Sequence, residues 1–215
     1  MAVINTVGPQ LAGDGSSPYT RVARQGDTIV SELHGKYTEQ NIRGNVFKGL
    51  SASTGIAIIL PATGGGHPTL FNPIGSGIYV SVLRLSLTYV SGTMAPGALE
   101  WASTSNAGST FATGAPIVTA TFVAATPGVV GGGGKAKALW APTVNTFTAA
   151  PVFLEGIGVG LDTEAAASTG APVPINIDYD GMLILAPGTA ISLCNQTTTT
   201  TALFQVMVAW EEIPQ

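Results

Sequence analysis

The sequence predicts an all-β fold, an antiparallel β-sandwich of roughly eight to ten strands behind an extended N-terminal arm. Three observations predict it. Short apolar runs recur along the chain, punctuated by 28 Gly and 14 Pro in 215 residues, which is the pattern of a sandwich or closed barrel. No window of about 12 residues carries a 3.6-residue apolar period, so helices of ordinary length are not expected. The last third alternates cleanly between apolar and polar residues, as half-buried strands do.

Taken in order, residues 1–26 are rich in Gly, Pro, Ser and Gln without periodicity, and read as an arm that orders on docking. Residues 27–215 read as one domain. Asp27–Leu33, Arg43–Leu50 and Ile56–Leu60 are short strands. Gly77–Val90 is a long one that changes face. Ile78, Val80 and Val82 are apolar at even positions, then Leu83, Leu85, Leu87 and Tyr89 at odd positions. A strand changes its buried face only through a bulge, a bend or a change of sheet, and this one must do so near Val82–Leu83.

Ala98–Ala102, Ile117–Val123, Ala136–Trp140, Asn145–Ala149 and Val152–Leu161 follow as strands, with Pro127–Gly134 a surface loop and Glu164–Thr169 one turn of helix. Val173, Ile175, Ile177 and Tyr179 then alternate with polar partners up to Asp180-Gly181. That dipeptide predicts a two-residue hairpin, because both central residues of such a turn need positive φ. Met182–Ala186 is the return strand and Thr189–Asn195 the next. Ala202, Phe204, Val206, Val208 and Trp210 share one face of a last strand, opposite Leu203, Gln205, Met207, Ala209 and Glu211; it is apolar on both sides and therefore central.

Charge narrows the function. Lys and Arg total 8 and Asp and Glu 12, 9% of the chain, where a soluble domain carries about 25%. The net charge of −4 leaves no basic surplus for phosphates, so nucleic acid is not expected as a partner. A surface so poor in charge is weakly defended against association, which points to a structural component and not to an enzyme. The first ten residues lack a basic n-region and a long apolar stretch, so neither a secretory signal nor a membrane span is expected. Residues 1–48 hold 9 of the 20 charges. Among them Arg21, Arg24, Lys36, Arg43 and Lys48 are the candidate partner-docking residues.

Chemical motifs are sparse. Gly131-Gly132-Gly133-Gly134-Lys135 fails the phosphate-loop spacing, because Val129 stands where the first Gly belongs and Ala136 where Ser or Thr belongs. His34 and His67 lack neighbours at ligand spacing and read as exposed turn residues, so no metal or other cofactor is expected. Asp178 and Asp180 fit a hairpin better than a calcium loop shared with Asp162 and Glu164. The single cysteine, Cys194, cannot form an internal disulfide and reads as a small buried hydrophobe. Glu211 and Glu212 read as solvated. Trp210 reads as core, whereas Trp101 and Trp140, near strand ends, are the candidate platforms for stacking on a sugar.

From Ile177 the chain runs Ile-Asp-Tyr-Asp-Gly-Met-Leu-Ile-Leu-Ala-Pro-Gly-Thr-Ala-Ile-Ser-Leu, and after a Thr-rich loop it closes on Phe-Gln-Val-Met-Val-Ala-Trp-Glu-Glu-Ile-Pro. This stretch, about residues 173–214, resembles the end of small jelly-roll structural proteins of tailed-bacteriophage virions. In general style it also resembles trimeric jelly rolls of the tumour-necrosis-factor and C1q type. The resemblance implies a jelly-roll sandwich and a capsid decoration or cement protein. Such a protein would self-associate, as a homotrimer, and bind the major capsid protein or other virion subunits after assembly in the host cytoplasm. It implies no catalytic residue. The alternatives are a carbohydrate- or receptor-binding module of a phage tail or fibre, using loops 62–75, 103–115 and 126–135, or a minor capsid or neck component.

Overall fold

The computed structural model describes residues 35–92, 98–104, 117–143, 145–160, 175–196 and 202–215. The arm at 1–26, the strand expected at Asp27–Leu33 and the helical turn at Glu164–Thr169 lie outside them. The chain divides into two compact units, Met1–Glu39 and Gln40–Gln215. Of the first, residues 35–39 are described, where the Thr38 N–H bonds the Gly35 carbonyl.

A five-residue helix, α1 (Thr38–Ile42), leads into β1 (Val46–Leu50), β2 (Ile56–Ala57), β3 (Gly64–Gly65), β4 (Thr69–Asn72) and β5 (Ile78–Ser91). Then come β6 (Ala98–Ser103), β7 (Ile117–Ala120), β8 (Thr126–Pro127), β9 (Leu139–Ala141), β10 (Asn145–Phe147) and β11 (Val152–Gly160). The chain closes with β12 (Ile175–Leu185), β13 (Thr189–Asn195) and β14 (Leu203–Pro214). The fold is all-β and every pairing is antiparallel. One sheet runs β12-β5-β14-β1-β8, with β2 also on β14; a second runs β11-β6-β13-β4-β9; a small third runs β3-β10-β7. No helix of the described residues is long and apolar enough to cross a membrane.

The two large sheets face one another across a single core. Phe47, Val80, Leu85, Val206, Val208 and Trp210 come from the first, and Leu70, Leu99, Trp101, Trp140, Ile191 and Leu193 from the second. Strand β14 is central, as its two-sided apolarity predicts.

The change of face in β5 is a bulge. Val82 pairs with Trp210 and Arg84 with Ala209, so Leu83 is the extra residue. Even positions are buried before it and odd positions after it. The strand stays in its sheet throughout.

The Asp180-Gly181 hairpin is corrected. Both residues do take positive φ, 50° and 91°, but β12 continues past them on the same partner. Asp178 pairs with Arg84 and Leu183 with Val82. Residues 179–182 therefore bulge opposite Leu83. Two irregularities on adjacent strands compensate each other, and the left-handed pair gives β12 its bend instead of reversing it.

The third sheet covers part of the outer face of the second. Phe147 of β10 packs on Phe71 and Ala190, with Ala120 and Leu139 beside them. Strand β4 went unpredicted within the loop assigned to 62–75. It is four residues between Pro68 and Pro73, buried at every position because both its faces are covered, so it shows no alternation. Strand β8 likewise lies inside the loop assigned to 126–135.

Candidate functional site

Of the expected docking residues, Lys36, Arg43 and Lys48 fall among the described residues. Arg21 and Arg24 lie outside them. Lys36 is exposed in the first unit, its Nζ 5.3 Å above the Tyr37 ring. Arg43 is exposed in the turn after α1, and Lys48 is exposed at the middle of β1. Lys48 belongs to an outward row in which Asp178 pairs with Arg84, Arg84 with Ala209 and Ala209 with Lys48. Within it Arg84 Nε donates to Asp178 Oδ1 at 2.5 Å and Nη2 to Oδ2 at 3.0 Å. Both side chains are half exposed, so this fork contributes under about 1 kcal/mol.

The tryptophan platforms are also corrected. Trp101 and Trp140 are both 0% exposed, and a ring enclosed on both faces offers nothing to a sugar. Each instead crosses the core and ties the second sheet to the first. Trp101 Nε1 of β6 donates to the Tyr179 hydroxyl of β12 at 2.8 Å. Trp140 Nε1 of β9 donates to the Leu50 carbonyl of β1 at 3.1 Å. Gly49 makes room for Trp140, since a Cβ there would lie 2.6 Å from the indole. Burial pushes the Tyr179 phenol up to about 12, with the Glu155 carboxylate adding to the rise against the bond from Trp101.

Among the described residues, chemically capable side chains gather in a seam between the second and third sheets. His67, Thr69, Asn145, Ser192 and Cys194 are all 0% exposed. Thr69 and Ser192 share a hydroxyl–hydroxyl bond of 2.8 Å. Asn145 Nδ2 donates to the His67 carbonyl and, at 3.0 Å, to Thr69 Oγ1. The His67 ring stands 5.8 Å from Phe147, and its Nδ1 lies 3.5 Å from Cys194 Sγ. Its Nε2 and Asn145 Oδ1 are buried without a hydrogen-bond partner. His67 is therefore no exposed turn residue.

A Cys–His pair invites comparison with thiol nucleophiles, which need a thiolate beside an imidazolium. The seam favours the opposite. Burial lowers the His67 imidazole to about 4, against the opposing pull of the Ala62 backbone. Burial, with the Glu100 carboxylate adding to it, pushes the Cys194 thiol up to about 12. Both partners are held neutral. Sequence spacing carried no sign of the pair, whose members are 127 residues apart and meet only through the β13–β4 register.

Glu212, expected in solvent, is instead buried at 7% exposure. Its Oε1 accepts the Lys137 and Ala138 N–H groups, both at 2.8 Å, and Trp210 Nε1 at 3.5 Å. It ties the end of the Gly-rich segment to the central strand. The alternation that places Trp210 inward carries on to Glu212, so the signal was present in the sequence. Among the described residues no group of three or more His, Cys, Asp or Glu is placed to hold a metal ion.

Compared with known proteins, the chain matches no family model, no curated protein and no solved structure.

Proposed function

We propose that this chain is a jelly-roll structural subunit of a virus particle, a capsid decoration or cement protein that works by packing against copies of itself and against shell subunits. The strand order carries the reading. Numbering the eight principal strands along the chain (β1, β4, β5, β6, β11, β12, β13, β14), the large sheets run 1-8-3-6 and 2-7-4-5. That is the order two interleaved Greek keys produce in jelly rolls. The stretch resembling phage virion proteins supplies three of the eight strands.

Association has a candidate surface. Among the described residues strand β11 ends its sheet, and it exposes Val152, Phe153 and Leu154 by 59%, 55% and 46%. Glu155 is the one charge on the strand. Native edges are ordinarily blunted with charge or Pro, and this edge keeps three adjacent apolar side chains in the open. A trimer is the state that the resemblance implies.

Light scattering on the purified protein tests the reading. A stable multiple of the 21.7 kDa chain mass, reduced by Phe153→Lys, supports it. A monomer at high concentration that also fails to bind capsid shells overturns it. The lectin-like alternative lost its two tryptophans to the core, and no other observation favours it.

A further inference from the structure

We propose that His67 is an acid-operated latch, whose protonation releases the three-stranded sheet β3-β10-β7 from the outer face of the five-stranded sheet. The latch belongs to the folded chain itself and needs no partner.

Geometry makes the case. His67 lies in the segment that joins β3 to β4, so it connects the covering sheet to the covered one. Its carbonyl takes the Asn145 amide of β10, its ring stands on Phe147 of β10, and its Nδ1 faces Cys194 of β13. The flanking backbone is fixed to β13, with Leu193 N–H on the Pro68 carbonyl at 2.9 Å and Asn195 N–H on that of Ile59 at 3.0 Å. The ring has no route to water, at 0% exposure.

Among the described residues no carboxylate pairs with the His67 ring. Strands β3, β10 and β7 contain no Asp, Glu, Lys or Arg. Strand β13 faces it with the neutral Cys194 thiol. The carboxylate bearing on the seam is Glu100 of β6, opposite Cys194 in register, and Gln196 Nε2 donates to it at 2.9 Å. The Ala62 backbone is the group that favours the imidazolium, and burial outweighs it.

An imidazolium enclosed without a counter-ion is costly, and the cheaper outcome is to open the seam and let water in. The direction with pH follows from linkage. The folded imidazole titrates at about 4 and the unfolded one at 6.5, so the open or unfolded chain binds the proton first. The latch is fully closed above pH 6.5 and is lost as pH falls toward about 4. Opening should rise by up to tenfold per pH unit across that window, on the order of 100-fold in all. Carboxylates that titrate near the lower end act through other sites, and a His67 variant separates them.

Two measurements test the latch. Proton NMR of the native protein reads the His67 imidazole, its resonance assigned by its loss in His67→Gln. The ring should stay neutral until about 4 and shift together with the ring resonances of Phe147. A His67 imidazole that titrates freely near 6.5 in the native protein overturns the proposal. Limited proteolysis through the same window, with cuts mapped by mass spectrometry, should show acid-enhanced cleavage within residues 117–147. His67→Gln should remove that enhancement while keeping the fold at neutral pH. Equal acid sensitivity in His67→Gln and wild type overturns it independently.

Discussion

The two large sheets share one core, yet their outer faces are opposites. The outer face of the six-stranded sheet carries Lys48, Arg84, Asp178 and Asn176, all exposed. The outer face of the five-stranded sheet carries Thr69, Phe71, Ala190, Ser192, Cys194, Glu100 and Ala102, all buried. Along this row the first obeys the apolar-in, polar-out rule of a sheet with one solvated side, although Leu50, Tyr79 and Ile184 are exposed on the same sheet. The second is buried on both sides along β4, β13 and β6, partly because the third sheet lies on it, while its strand β11 stays exposed at Val152, Phe153 and Leu154. A strand buried on both faces has no place for unpaired charge. The charge deficit therefore has an internal cause alongside any external one: part of it reflects a third layer within the subunit itself.

Substitutions at four depths can break or sharpen this contrast, each read as a change in urea unfolding free energy. Trp140→Ala removes one of three fully buried indoles from the core between the sheets together with its bond to Leu50, and should cost about 4 kcal/mol. Phe147→Ala lies in the covering layer, and should cost about 3 kcal/mol if that layer packs like a core. A loss under about 1 kcal/mol would reduce the third sheet to a loosely resting flap. Gly49→Ala drives a Cβ into the Trp140 indole and should cost about 2 kcal/mol by overpacking. Arg84→Ala, on the open face, should cost under about 1 kcal/mol. A large loss there would show that the open face is structurally committed after all.

The same contrast decides what was legible in the sequence. The long strands of the open-faced sheet announced themselves, although its two-residue strand β8 did not. The phase change at Leu83, the inward Ile175, Ile177 and Tyr179, and the two-sided β14 all follow from a period of two. Strand β4 did not, because a strand covered on both faces loses its alternation. Asp180-Gly181 showed its backbone conformation correctly but not its use, since positive φ serves a bulge as well as a hairpin. The fate of Trp101 and Trp140 turned on partners more than 75 residues away in the chain, Tyr179 and Leu50. The His67–Cys194 seam is likewise made by strand register and not by spacing.

The covered face can be probed directly, because the chain holds one cysteine and it lies there. The measurement is the rate at which a small thiol reagent labels Cys194 in the native protein at neutral pH, compared with the urea-unfolded chain. Burial beneath the third layer, with a thiol pushed up to about 12, predicts native labelling slower by orders of magnitude, released only on opening or unfolding. Labelling at the unfolded rate would mean that the outer face of the five-stranded sheet is open to water, and would contradict the three-layer account.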